Sequence, residues 1–519
     1  MGLLGEWLFN EHLNGIQLSR DWPLGTAYGT LDTRYDDICL PPLLTAVDLS
    51  GSDAAGGGSA GTAAAVSSAA FTGGMHATEK LIVGRGTKLG AVRLDTRASV
   101  FDGTAEGAGA PYAENVTDLL YTKSAGGTHE VSVCYDNTAY RVITAVPNTG
   151  GYTASENNQA HKYRHMGIAG SDAAASVVAG LGRGSGTPQN VVASNTLSGS
   201  TTMDGSAWQT RATVGEEVVF TGFALDGRFW CPHTNGGYYY LDSDGYRFRP
   251  QQEELAVDPN NRQGFGAQSF SYLGPAVLSP TIRGLRLIQG GASRSVGVDL
   301  FPGNNTPVNG RYGHAGGSEK WIYVPIYNTV TGNSYICAMR PRQPGDQHAQ
   351  PFSWYALYEL STLESMICVY SGFKGGVTNP TVWIGRGSDV GWFTEPLTQR
   401  PWDDSGMTFA ASGSLLGTLR VAAPGKVLLP EYVTLETAGC TASNTVTVDL
   451  VLTDARGVEQ TVRCGGPIVS NGMKRVEVPP MPNGVVSFAV KLTMAGAGGN
   501  ATPRVRRKSV CVWGGVQDA

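Results

Sequence analysis

The sequence predicts an all-β chain: a β-propeller-like repeat domain followed by a C-terminal antiparallel β-sandwich, with an irregular N-terminal arm in front. Three observations predict it. Glycine accounts for 71 of 519 residues, against a usual share of about 7%, and the glycines separate short aromatic and β-branched runs, as turns do in an all-β protein. No apolar period of 3.6 residues is sustained anywhere, so helices are not expected. Residues 320–360 hold three such runs in succession: Trp321 to Tyr327, Ser334 to Ala338, and Trp354 to Leu360. Thr331-Gly332-Asn333 between the first two supplies residues that tolerate the positive φ of a hairpin turn. A meander of this kind is the unit from which a propeller blade is built.

Residues 1–74 read as the arm, dotted with Trp7, Phe9, Trp22, Tyr28 and Tyr35, and running into an Ala/Gly/Ser-rich segment over 46–74. That segment suits either a flexible linker or small-residue packing under a neighbouring subunit. Its string Gly51-Ser52-Asp53-Ala54-Ala55 recurs once, at Gly170 to Ala174. Residues 75–412 carry grouped strand signals, roughly five to seven units, which suits a propeller's blade number. Within them, 146–215 thins into small polar sequence and reads as an insertion or a weakly patterned blade.

Residues 413–519 read as the sandwich. Its runs are Val427 to Glu436, Thr445 to Thr453, Glu459 to Val462, Lys474 to Val478, Val485 to Leu492 and Arg504 to Trp513, with turns at Asp454 to Gly457 and Ser470 to Gly472.

Lys and Arg number 38 against 43 acidic residues, a formal charge of −5. No general basic field exists to draw nucleic acid along its phosphates. The one basic cluster, Arg504, Arg506, Arg507 and Lys508, lies among valines and is expected on a solvated edge strand, where such charges protect a sheet. The eight cysteines show no CxxC or other tight ligand spacing, so no zinc site is expected. Cys337 and Cys368 sit inside apolar runs as small hydrophobes, while Cys440 and Cys464 flank one hairpin and could pair. The stretch Gly2 to Trp7 lacks the basic start and apolar core of a secretory leader, and no run is long enough to span a bilayer.

Candidate chemistry is sparse. His161 and His165 stand in the string HKYRH, which lacks the glutamate of a zinc protease, and read as two surface histidines in a polar loop. Asp242-Ser243-Asp244-Gly245 begins like a calcium loop without its remaining ligands, and a hairpin turn accounts for it. Trp230, Tyr238, Tyr239, Tyr240, Trp321, Trp354, Trp383 and Trp392 invite sugar stacking, but their aliphatic neighbours favour blade packing. One or two at loop ends, such as Trp392, are expected to be able to face a ligand. No nucleophile elbow, P-loop or dinucleotide fingerprint is present in context. Catalytic, cofactor-binding and metal-binding residues are therefore assigned to none.

Asp404-Ser405-Gly406-Met407-Thr408-Phe409 resembles the Asp box of sialidase-type propellers, with Trp402 where that motif has Ser or Thr. Such boxes stabilise turns and do not by themselves imply an enzyme. The runs Trp-Ile-Tyr-Val-Pro-Ile-Tyr, Tyr-Ile-Cys-Ala-Met-Arg-Pro and Trp-Tyr-Ala-Leu-Tyr-Glu-Leu, together with Ile384 to Phe393 and a sandwich ending in a basic strand, resemble the propeller proteins of tailed-phage tails and adsorption devices. The resemblance covers residues 215–519 and rests on architecture.

It implies a virion structural protein, a tail or tail-tip component assembled in the host cytoplasm, with no enzymatic activity. Its expected partners are other virion proteins, further copies of itself in a symmetric assembly, and a host surface glycan or receptor. The alternative is a glycan-binding or glycan-hydrolysing, sialidase-like propeller, which would need two carboxylates converging on a sugar. A capsid-decorating protein shares the same make-up.

Overall fold

In the computed structural model the described residues are almost wholly strand. They comprise residues 2–8, 31–35, 37–47, 65–67, 80–85, 88–94, 96–97, 116–123, 129–135, 141–143, 156–158, 162–169, 177–184, 191–196, 209–213, 223–225, 228–232, 238–242, 245–249, 270–272, 276–281, 284–289, 292–295, 311–312, 315–318, 320–328, 333–341, 352–360, 366–372, 378–386, and 389–516 except 418–419, 424–425, 455 and 482–483. Their one helix is a 3₁₀ turn at Pro401–Asp403. Among them no helix is long and apolar enough to cross a membrane. The chain forms two compact units, one of Thr45–Ser334 with Ser361–Trp392, the other of Met1–Leu44, Tyr335–Leu360 and Phe393–Ala519.

The first unit is propeller-like. Its opening sheet has three strands, Ala65–Ser67, Lys80–Arg85 and Lys88–Arg93. Four-stranded antiparallel meanders follow, starting at Val116–Lys123, Lys162–Ala169, Phe223–Leu225 and Phe270–Tyr272. The next sheet contains Ile322–Asn328; Asn333–Pro341 and Phe352–Leu360 follow it as successive strands, the meander expected from the sequence, with residues 335–360 counted in the other unit. The last sheet is built on Met366–Gly372, Thr381–Arg386 and Asp389–Thr394. Each sheet lies against the next, and Met366–Gly372 returns to Ala65–Ser67, so the sheets close a ring.

Closure depends on a strand from elsewhere in the sequence. Thr45–Val47 pairs antiparallel with the last sheet, Thr45 opposite Trp392 and Val47 opposite Val390. Val47 shares a buried cluster with Leu81, Val92 and Leu94 of the opening sheet and with Trp383 and Val390 of the last one. The ring's seam is therefore an apolar core as well as a ladder of hydrogen bonds.

Residues 162–213, weak in sequence pattern, form a full meander of Lys162–Ala169, Val177–Gly184, Val191–Thr196 and Gln209–Thr213. His165 accordingly lies on a strand and not in a loop; His161 is outside the described residues. So are 48–64, 68–79 and the turn residues Thr331 and Gly332.

The second unit contains the sandwich. One sheet places Arg504–Val516 between Lys426–Ala438 and two N-terminal strands, Gly2–Leu8 and Ile38–Cys39, and ends in Gly472–Glu477. The other runs Ser412–Leu416, Ser487–Ala495, Thr445–Thr453, Glu459–Ile468. Alternation at period two fills the space between them: Val446, Val448, Leu450 and Leu452 from one strand meet Val433, Leu435, Val476 and Val505 of the facing sheet in one core. Each such side chain contributes about 1.5–3 kcal/mol by leaving water.

The basic C-terminal strand is thus interior, not an edge as its composition suggested. Its second flank is covered by segments from the far end of the chain, which local pattern cannot reveal. Gly439, which follows Lys426–Ala438, has φ +66°, and a Cβ there would come within 2.5 Å of the Thr502 carbonyl oxygen.

Trp383 is fully buried at the propeller seam. Trp383→Ala should cost about 3–5 kcal/mol, measured as a loss of chemical-denaturation stability, while an exchange at the exposed Val421 should leave it nearly unchanged.

Candidate functional site

In the second unit a group of charged side chains gathers around residues 31–43. Asp32 and Cys39 bridge through paired backbone hydrogen bonds of 2.8 and 3.1 Å, folding 32–39 into a tight loop. Inside it Arg34 forks onto Asp32: its Nη2 donates to Oδ2 at 2.7 Å and its Nε to Oδ1 at 2.9 Å. The Arg34 backbone N–H donates to the same Oδ1 at 3.1 Å. Both side chains are out of water, at 0% and 1% exposure, so the pairing is the condition for burying either charge.

Two tyrosines and a second carboxylate lie in this group. The Arg34 guanidinium stands 5.3 Å from the Tyr35 ring centre. Burial pushes the Tyr35 hydroxyl well above its ordinary value; Arg34 opposes this, and Asp32, Cys39 and Glu395 add to it. Burial raises Tyr358 likewise, and its hydroxyl donates to the Pro42 carbonyl at 2.7 Å. Both phenols remain protonated.

A second layer ties the loop to the C-terminal strand. Asp37 Oδ2 accepts from Arg504 Nη1 at 3.4 Å and from Arg506 Nε at 3.3 Å. Arg506 also reaches Glu436 at 3.6 Å. The hydrogen bond to Asp37 raises the Arg506 guanidinium, whereas burial lowers Arg504. Arg504 lies 4.6 Å from the centre of the Trp402 ring. Leu40 N donates to Thr502 Oγ1 at 3.0 Å, and Ile38 and Cys39 pair with Val505 and Arg504. Arg504 and Arg506 therefore face carboxylates of the same unit.

Asp32 and Glu395 are two buried carboxylates of this group. Sugar hydrolysis requires two such groups facing a substrate and a water. Both Asp32 oxygens instead receive Arg34, and Asp32 and Glu395 are 1% and 2% exposed. The arrangement locks an N-terminal loop into a sheet; it does not present reactive oxygens to a ligand.

The remaining sequence candidates resolve the same way. Asp404 stabilises a turn: its Oδ2 accepts from Leu397 N and its Oδ1 from Gly406 N, each at 3.0 Å. Asp242 pairs with Gly245, closing a hairpin. Trp321 and Trp383 are buried. Trp392 is half-buried and covered on one ring face by the Arg97 guanidinium, 3.8 Å from its centre. Arg97 has φ 60° and also donates from Nη2 to Thr381 Oγ1 at 3.2 Å.

Cys440 and Cys464 are both free and buried, so the hairpin they flank is not cross-linked. No group of three or more metal-ligating side chains occurs among the described residues.

Sequence reading missed Asp118. Its Oδ1 accepts from Leu119 N at 2.9 Å and its Oδ2 from Met166 N, on the next sheet of the ring, at 3.1 Å. A lone Asp in a strand pattern is the only signal it leaves.

No protein-family model matches the chain, and no curated protein matches it. Among solved structures it is similar to BamB from Moraxella catarrhalis (11% identity, TM-score 0.32, covering 62% of this chain and 80% of that one). It is also similar to Raptor from Chaetomium thermophilum (11%, TM-score 0.39, 69% and 29%). A third is an exo-β-1,3-galactanase from Phanerochaete chrysosporium (10%, TM-score 0.31, 91% and 99%). At these scores the likenesses carry no functional argument, and the fold rests on the chain's own sheets.

Two measurements probe this group. Asp32→Ala should destabilise the protein by about 3–5 kcal/mol by leaving Arg34 buried without its counter-charge, and adding Arg34→Met should recover much of that loss. Burial pushes the Cys464 thiol up to about 11 and Cys337 to about 12. Native protein at pH 8 should therefore resist alkylation at both, and denaturant should release them, as followed by mass spectrometry.

Proposed function

We propose that the chain is a structural component of a phage virion, a tail or tail-tip protein that serves assembly and presents a surface to the host. The observation that carries the reading is the use made of charge. The clustered carboxylates and arginines of residues 32–37, 395 and 504–506 fasten the N-terminal segment into a sheet. A propeller-like ring held by a strand from outside its own repeats is a rigid platform, and such a fold takes its function from its surface. The resemblance of residues 215–519 to phage tail propellers supplies the particle.

In purified tailed particles from the encoding genome, the chain should be found by mass spectrometry, and antibody labelling in electron micrographs should mark the tail. The isolated protein should release no reducing sugar from a glycan panel. Hydrolysis abolished by changing a pair of carboxylates would overturn the proposal in favour of a glycosidase, and saturable glycan binding without turnover or particle association would favour a lectin.

A further inference from the structure

Among the described residues one end strand of the sandwich has its outer edge unpaired. Glu459–Ile468 ends its sheet, bonded on one side to Thr445–Thr453. Its side chains are mostly exposed, and Val458 beside it is 56% exposed. A long unpaired edge is a template for another strand, and proteins usually blunt such edges.

Here the blunting is confined to the two ends. At the start, Asp454 Oδ1 accepts from Arg456 N at 2.8 Å and Val458 N at 2.9 Å, and Gly457 takes φ +79°, which fixes a tight turn. At the other end Gly465 takes φ +68°, the register breaks between Val446 and Val448 of the partner strand, and Pro467 has no N–H to offer. Val458 N–H and C=O are already taken by Asp454, so the regular, pairable stretch is Glu459 to Arg463, and its midpoint is Thr461.

We infer that this edge pairs antiparallel with the same edge of a second copy of the chain, about a two-fold axis at Thr461. The two ends of the open stretch select that centre, because it gives full overlap. Charge selects it independently: Glu459 then lies opposite Arg463 of the second copy, and Arg463 opposite its Glu459. Arg463 already pairs with Asp449 across its own sheet, yet its side chain is 58% exposed, so it can face a second carboxylate. Thr461 meets Thr461, a favourable cross-strand pair. Isologous contacts of this kind close into a dimer instead of growing into fibres. The inference stands apart from the virion reading, since it concerns the chain alone.

The full-length protein, studied by light scattering across a concentration series, should move from one 54.6 kDa chain to twice that mass. Glu459→Arg should raise the dissociation constant about tenfold or more, through like charges facing each other, with an unchanged circular dichroism spectrum. Thr461→Cys should form a disulfide-linked dimer on mild oxidation, while Glu459→Cys alone should not, because in this register Glu459 never meets itself. A monomer at every soluble concentration overturns the inference. So does a dimer indifferent to Glu459→Arg, or one in which Glu459→Cys cross-links as readily as Thr461→Cys.

Discussion

The structure depends on one constraint: strands near the start of the chain complete sheets whose other strands come from its end. Thr45–Val47 supplies the outer strand of the last propeller sheet. A few residues earlier, Ile38–Cys39 lies along the C-terminal strand, which Gly2–Leu8 also flanks. The propeller sheet is not finished until residue 394 has been made, nor the sandwich sheet until residue 516. Closing so long a loop costs only logarithmically more entropy than closing a short one, so the final state tolerates the arrangement. Its effect is on rate, since non-local pairs must wait for the local meanders.

Because that pairing is short, something must fix its register. Ile38 opposite Val505 puts the apolar side chain in the sandwich core; a slip of one residue would turn it outward. Asp37, immediately before, reaches both Arg504 and Arg506. It can hold both only near the observed alignment. The buried Asp32–Arg34 fork acts one step earlier by shaping the loop that delivers the strand. Such pairs add little net stability over apolar residues of similar volume. Their contribution is to specify geometry in a segment with too few apolar residues to specify it alone.

Most elements were legible because their signals are local. Thr445–Thr453 matches its alternating run residue for residue, and Arg504 begins the last strand as expected. The three runs of 320–360 became three neighbouring strands for the same reason. The failures are equally physical. Residues 162–213 are rich in Gly, Ala, Ser and Thr, so a true meander shows little apolar alternation. The order of strands within a sheet leaves no local trace, which is why a valine strand with four cations looked like an edge. The Asp32–Arg34–Tyr35 group was passed over as part of an irregular arm, because what makes it distinctive is burial.

Two end strands of the sandwich, one from each sheet, show how similar strands can differ in what they admit. Gly472–Glu477 carries Lys474 and Arg475 in succession, with Arg475 stacked 3.8 Å from the centre of the Tyr432 ring and bonded to Glu477 at 2.7 Å. Antiparallel self-pairing centred there would set Lys474 against Arg475 of the other copy, like charge against like. Self-pairing of Glu459–Arg463 sets unlike charges together and is bounded at both ends by turn chemistry. Specificity is a difference between allowed and disallowed contacts, and these neighbouring edges supply one of each. The propeller ring has no comparable choice, since its seam is already closed by Thr45–Val47. In this chain, closure of the ring and selective exposure of one sandwich edge are complementary answers to the same problem, the unpaired backbone of a sheet.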